Sequence, residues 1–174
     1  MSSNTGGTIV RNEPLRPNYL DASILVKLVI DEDYTSLVRN YVFDSAQSWR
    51  VCTSFCFVEA LSVLKRKHAK LELSERGYIA GSRRLFTYAK NKTIRIIPEN
   101  YLSLSAFTEA ERLFKTHRID LIDALQLISV RDSWPYLASP SKPILLTADK
   151  ALSRAAGKEG LKSWYCCITR PPDR

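Results

Sequence analysis

Residues 143–149 read Pro-Ile-Leu-Leu-Thr-Ala-Asp, an apolar run of strand length that opens on proline and closes on a carboxylate. A strand whose consecutive residues are all apolar is buried on both faces, as inside a parallel sheet. From Lys150 to Gly157 the pattern turns helical, and Leu161 to Cys167 returns to strand character. The same alternation recurs toward the N-terminus. Asn18-Tyr19-Leu20 is a short strand running into Asp21, then into a buried helix from Ala22 to Ile30 with Ile24, Leu25, Leu28 and Val29 at helical spacing. A second helix is expected from about Tyr34 to Ser45, with Leu37, Val38, Tyr41 and Val42 on one face. Trp49 to Thr53 reads as a strand, Ser54 as the N-cap of a helix from Phe55 to about Lys70, and Ser74 as the cap of another reaching about Asn91. Thr93 to Ile97 alternates and stops at Pro98. Helices follow from about Leu102 to His117, with Leu104, Phe107, Ala110, Leu113 and Phe114 on one side, and from Leu121 to about Arg131. Strands separated by helices throughout imply parallel pairing with helices on both faces. The expected fold is a three-layer α/β/α sandwich with a central parallel sheet.

The chain has 174 residues, 45% of them apolar and 25% charged, which fits one globular domain and is too apolar for a mostly disordered chain. Residues 1–17 are expected to form a flexible tail, 18–167 the domain and 168–174 a short C-terminal tail. No stretch approaches a membrane span, since the apolar run from Ala22 to Ile30 is broken by Lys27 and ends in Asp31, Glu32 and Asp33. The polar N-terminus lacks the apolar core of a secretory signal, so a cytoplasmic location is expected. Cys52 and Cys56 stand four apart, Cys166 and Cys167 are adjacent, and His68 and His117 lie alone. That spacing suits reduced thiols better than a zinc site or a disulfide framework.

The formal charge of +8 is local. Between Lys65 and Arg95 there are ten Lys and Arg against two acids, and the rest of the chain balances. Tyr78, Phe86 and Tyr88 lie within this segment, and basic groups beside stackable rings suit a polyanion such as single-stranded nucleic acid. A solvated helix face whose aromatics point into the core explains the composition equally well.

Four carboxylates stand at positions that do not suit a charge. Asp21 follows a strand and precedes an apolar helix; Glu59 lies in FCFVEALSVL; Asp123 lies in LIDALQLI; Asp149 ends the buried strand. In open parallel sheets the C-terminal ends of strands line the ligand crevice, which places Asp21 and Asp149 there. The apolar faces carrying Glu59 and Asp123 turn toward the sheet and let both acids reach the same crevice. Unpaired carboxylates sharing a partly buried pocket repel one another and would take up protons without a counter-charge. An all-carboxylate set is the ligand set of a hard ion, Mg²⁺ or Mn²⁺, which activates water and offsets phosphoryl charge in phosphodiester hydrolysis. Taken singly, Asp21 and Asp149 could be helix N-caps, and Asp123 the partner of a capping box with Asp120, whose own role is read as a cap. Glu59 has no such use.

In order along the chain, YLDASILVKL (19–28), SFCFVEALSVL (54–64), IDLIDALQLISV (119–130) and LLTADKALSRAAGKEGL (145–161) resemble the motifs of PIN-domain ribonucleases, and specifically VapC-like toxins of type II toxin–antitoxin systems. The resemblance covers the chain from about Asn18 to Tyr165. It implies that Asp21, Glu59, Asp123 and Asp149 are the catalytic and metal-binding acids, holding one or two Mg²⁺ or Mn²⁺ ions, with Ser23 and Thr147 in support. The implied reaction is endonucleolytic cleavage of RNA to a 5′-phosphate and a 3′-hydroxyl. The implied partners are RNA, a second copy of the chain in a homodimer, and a cognate antitoxin. Lys65, Arg66, Arg83 and Arg84 are the candidate RNA-binding residues.

The competing expectation is a non-catalytic RNA-binding or regulatory protein on the same PIN-like fold. A receiver-like phosphoacceptor needs an acidic pair after the first strand, where Asp21 stands alone, and a Lys ending the last strand, where Lys150 is misplaced. A Ser-His-Asp hydrolase lacks a suitably placed His.

Overall fold

The computed structural model describes residues 16–44, 48–97, 103–133, 141–168 and 170–172, with the side chain of residue 133 left aside. Twelve elements follow in order: β1 (Arg16–Leu20), α1 (Ala22–Val29), α2 (Thr35–Asp44), β2 (Ser48–Thr53), α3 (Ser54–Ala69), α4 (Glu75–Lys90), β3 (Arg95–Ile97), α5 (Leu104–His117), α6 (Leu121–Ser133), β4 (Ile144–Thr147), α7 (Lys150–Lys158) and β5 (Lys162–Tyr165). Each expected strand and helix is present, with ends shifted by one or two residues. Arg16 and Pro17, expected in the tail, pair with Ser48 and Trp49 as the start of β1. Residues 1–15 lie outside the described residues.

The five strands form one parallel sheet in the order β3-β2-β1-β4-β5. Side chains alternate across it, since successive residues of a strand face opposite ways. Leu20, Cys52, Ile144, Leu146 and Trp164 join the core under α1–α4, and Tyr19, Val51 and Leu145 join the core under α5–α7. All four residues of β4 are buried, as its unbroken apolar run requires. Helices therefore cover both faces, which makes the molecule a three-layer α/β/α sandwich. Among the described residues no helix is long and apolar enough to cross a membrane.

α1 is apolar nearly all round because it is enclosed by the sheet, α2, α3 and α4. α4 approaches it at Gly81, where a Cβ would stand 3.2 Å from Ile30 Cγ2 and 3.5 Å from a Leu64 methyl. Three local readings are corrected. The cap of α3 is Thr53, whose hydroxyl accepts the Cys56 amide at 3.1 Å, and Ser54 is already helical. α5 packs through Ala106, Ala110 and Leu113, whereas Leu104, Phe107 and Phe114 are exposed. The buried stripe follows i, i+4 and i+7, and its alanines let α5 lie close on α6, so the larger apolar groups fall on the outer flank. In α2 likewise Val38, Tyr41 and Val42 are buried but Leu37 is not.

Candidate functional site

β1 and β4 are neighbours at the centre of the sheet, and the order of strands reverses between them. A crevice opens beyond the strand ends at such a switch point. The residues that leave β1 and β4 there are Asp21, which begins α1, and the segment Thr147-Ala148-Asp149, which leads into α7. The two are fastened together. The Asp21 amide donates to Leu146 O at 3.1 Å, and the Thr147 hydroxyl donates to Asp21 Oδ2 at 2.9 Å. The Ser23 hydroxyl donates to the same Oδ2 and accepts the Ala148 amide at 2.9 Å. Thr147 Oγ1 in turn accepts the Asp149 amide at 2.9 Å. Each hydroxyl thus accepts a hydrogen bond from the β4–α7 turn and donates one to the carboxylate. Asp21 Oδ1 accepts no side-chain hydrogen bond among the described residues.

The cleft, about 220 Å³ in volume, is lined by Asp21, Glu59, Asp120, Asp123 and Asp149, with Ser23 and Glu32 beside them and Ala22, Val26 and Val63 as its apolar wall. All four acids singled out in the sequence are therefore brought to one place. α3 contributes Glu59 and Val63 one turn apart, and α6 contributes Asp123 at its first turn. Asp120 does cap α6, since its Oδ1 accepts the Asp123 amide at 2.8 Å, but it also faces the cleft, a second role its sequence reading missed. Its position three residues before Asp123 was the available signal. Asp21 and Asp149 are both N-caps as well: Asp149 Oδ1 accepts the amides of Ala151 and Leu152 at 2.6 and 2.9 Å. A cap occupies one carboxylate oxygen and leaves the other for a ligand, so the two uses are compatible.

Burial and mutual repulsion act on these groups together. Asp123 is pushed up to about 8, first by burial and then by the charges of Asp120, Asp21, Asp149 and Glu59. Burial raises Asp21 as well, opposed by the hydroxyls of Ser23 and Thr147 and by the amides of Ala22 and Ser23. Glu59 is raised by burial and by the charges of Asp21 and Asp120, with Arg66 pulling the other way. No Lys or Arg among the described residues lines the cleft. Among the described residues, no group of three or more His, Cys, Asp or Glu side chains is disposed to hold a metal ion as it stands. The acids among the described residues face a common space without closing on a common point.

Glu32 also went unnoticed, because it follows α1 in a charged turn that carries no periodic pattern. Burial works against its charge, yet Lys67 and Lys27 hold it below the ordinary carboxylate range, at 2.7 and 3.2 Å. Of the candidate RNA-binding residues, Lys65, Arg66, Arg83 and Arg84 are all exposed and none lines the cleft. Arg66 lies seven residues along α3 from Glu59 and is felt there, whereas Arg84 is engaged with Val29 O at 3.4 Å. Arg83 lines a separate shallow groove on α4 with Glu75, Arg76, Ile79 and Ala80. The aromatics of this region divide: Tyr78 stacks on His68 and Tyr88 packs on Phe43, while Phe86 is exposed.

The fold and site together define an α/β/α protein with an acidic cleft at the switch point of a five-stranded parallel sheet. No protein-family model matches the chain, and no curated protein sequence does. Among solved structures, the crystal structure of PAE2754 from Pyrobaculum aerophilum is similar, with a TM-score of 0.57 at 16% identity over 92% of each chain. At that identity the likeness concerns the fold.

Proposed function

We propose that this chain is a metal-dependent endoribonuclease of the PIN-like kind its motifs resemble, hydrolysing RNA phosphodiester bonds at the acidic cleft. The observation that carries the reading is the convergence of Asp21, Glu59, Asp120, Asp123 and Asp149 on one cleft whose lining, among the described residues, includes no basic side chain, with Asp123 pushed up to about 8. An all-oxygen donor set under mutual repulsion fits a hard divalent cation, Mg²⁺ or Mn²⁺. Asp21, Glu59, Asp123 and Asp149 would hold it. When bound, such an ion lowers the pKa of a water and offsets charge on the phosphoryl oxygens.

The chain's own residues supply the rest. Ser23 and Thr147 hold Asp21 Oδ2, which fixes the buried carboxylate and opposes the upward pull of burial on its pKa. Glu59 and Asp123 line the cleft, and burial and the neighbouring carboxylates raise the proton affinity of both. The exposed basic residues on α3 and α4 extend outward from the Glu59 side and offer phosphate contacts beyond the reacting bond. The toxin role, homodimer and antitoxin partner that the resemblance implies belong to this same proposal. The alternative, an RNA-binding or regulatory protein without catalysis, draws on the structural duties that Asp21 and Asp149 already have as caps.

RNA cleavage by the purified chain, freed of bound protein by unfolding and refolding, is the deciding measurement. Cutting that needs Mn²⁺ or Mg²⁺ and is lost in EDTA and in Asp21→Asn is expected. Metal and RNA binding without cutting favours the regulatory alternative. Absence of both cutting and metal binding overturns the nuclease.

A further inference from the structure

Neither Cys166 nor Cys167 is among the residues lining the acidic cleft. They follow β5 at the point where it leaves the sheet, and their sulfurs stand 4.0 Å apart. Their surroundings differ. Cys166 is fully buried, next but one to the buried Trp164, and its amide donates to Thr147 O at 3.0 Å. Cys167 is half-buried, and its sulfur lies 3.8 Å from Ala148 O. The other two free thiols, Cys52 and Cys56, are both buried. One accessible thiol therefore has a sheltered thiol as its nearest sulfur neighbour, an arrangement of an attacking and a resolving cysteine.

We propose that Cys166 and Cys167 form a reversible thiol–disulfide switch that is oxidised by small disulfides and acts on the turn carrying Thr147, Ala148 and Asp149. Cys167 sulfur, as thiolate, attacks one sulfur of a small disulfide, forming a mixed disulfide and releasing one thiolate. That thiolate takes the proton of Cys166, whose sulfur then attacks the Cys167 sulfur and expels the second thiolate. Two cysteine thiols and one small disulfide thus become one Cys166–Cys167 disulfide and two small thiols, with two electrons passing to the oxidant. Burial and the adjacent Cys167 sulfur push the Cys166 thiol up to about 12, which keeps it protonated until Cys167 has reacted and leaves the first step to Cys167.

Closing the bond brings the sulfurs from 4.0 Å to about 2.05 Å. Adjacent Cα atoms across a trans peptide are about 3.8 Å apart, below the range most disulfides span, so the ring is strained and readily reduced. A labile bond of this kind suits a switch and not a structural staple. Its strain falls where it matters, since Ala148 accepts from Cys167 through its carbonyl and donates to Ser23 through its amide. Thr147 and Asp149, on either side of it, belong to the network that holds Asp21.

The test uses the reduced full chain in glutathione buffers of graded oxidised fraction, read by mass spectrometry of the peptide containing both residues. The expected result is loss of two hydrogens from that peptide, reversed by excess reduced glutathione, with Cys52 and Cys56 unmodified. Cys167→Ser should abolish the reaction, and Cys166→Ser should stop it at a glutathione adduct on Cys167. Should Cys166→Ser fail to fold, Cys167→Ser still decides the first step. A lasting glutathione adduct on the unaltered chain, no reaction, or equal oxidation of Cys52 and Cys56 overturns the switch. Amide hydrogen exchange at residues 148–152 should change between the two redox forms; an unchanged pattern overturns the link to the cleft. Neither readout depends on nuclease activity.

Discussion

Thr147 and Asp21 stand 126 residues apart in the chain and are joined by a buried 2.9 Å hydrogen bond from the Thr147 hydroxyl to Asp21 Oδ2. That bond ties the ends of the two central strands and favours the charged form of a carboxylate whose pKa burial raises. Thr147→Val keeps the shape and removes the donor. It should cost about 1–3 kcal/mol in urea unfolding, because it leaves a buried acceptor short of one partner. It should also weaken Mn²⁺ binding about 10-fold or more in calorimetry, as loss of a group orienting a metal ligand does. Thr147→Ser, which keeps the hydroxyl, should restore most of both.

The pH response of the metal-free protein follows from Asp123. Its folded pKa of about 8 lies above the ordinary 3.8, so the folded state binds this proton more tightly than the unfolded one. The stabilising contribution is fully present below about 4 and is lost as pH rises through about 8. In EDTA, the unaltered chain should therefore lose more Tm between pH 6 and pH 8.5 than Asp123→Asn, by roughly 3 °C or more. Saturating Mn²⁺ should close the gap. Equal pH dependence of the two proteins would show that Asp123 does not carry the repulsion assigned to it.

The sheet and both helical layers were legible because burial on two faces leaves so plain a mark: β4 is Ile-Leu-Leu-Thr with nothing polar before the hydroxyl that Asp21 needs. The four acids were legible because each interrupts an apolar pattern, although Asp21 and Asp149 also serve as helix caps. Asp120 was half-read, since its capping bond to Asp123 is a sufficient local reason for it and hides its second role in the cleft. Glu32 left no trace, because its partners Lys27 and Lys67 come from two different helices and meet only in three dimensions. The outer faces of α2 and α5 were misread at Leu37, Leu104, Phe107 and Phe114 for a related reason. Periodicity shows that a stripe exists, but the neighbour decides which edge of it is covered.

Lys27 is 6% exposed, and its ammonium is held by Glu32 Oε2 at 3.2 Å and Asp33 O at 2.9 Å. Glu32→Gln leaves that buried cation without a charged partner and should cost about 3 kcal/mol or more. Lys27→Met removes the buried charge itself, while Glu32 retains Lys67, and should cost distinctly less. Urea unfolding of the two variants checks the ranking. A costlier Lys27→Met would mean that the lysine does more than neutralise Glu32.

α5, α6 and α7 are linked at the surface by Glu109 with Arg112 and Arg131, and by Glu159 with Arg112 and His117. The two arginines hold the Glu109 carboxyl down at about 2, but these side chains are largely in water, where ion pairs contribute little. Glu109→Ala should therefore change stability by less than about 1 kcal/mol, and less still in high salt. His117 is buried against Glu159 at 2.6 Å. His117→Ala should cost more, about 1–3 kcal/mol, with little salt dependence, because it removes packing and leaves a sheltered carboxylate short of a partner. Denaturation at two ionic strengths separates the two cases.

The four candidate RNA-binding residues should not behave alike. Lys65 and Arg66 are exposed on α3, and Arg66 lies on the Glu59 side of that helix, beyond Val63 in the cleft wall. If each contacts a phosphate, Lys65→Ala and Arg66→Ala should weaken RNA binding across sequences, each lowering the salt slope of log K by about 1. Arg83 stands on the outer groove of α4, farther along the basic surface, so its replacement should affect long RNAs more than short ones. Arg84 is committed to Val29 O at the end of α1, and Arg84→Ala should show mainly as lost stability. Fluorescence anisotropy with a short and a long single-stranded RNA, at several salt concentrations and with Asp21→Asn to prevent cleavage, distinguishes these four outcomes. Equal loss at Arg66 and Arg84 would place the RNA path across α1 and α4 instead of along α3.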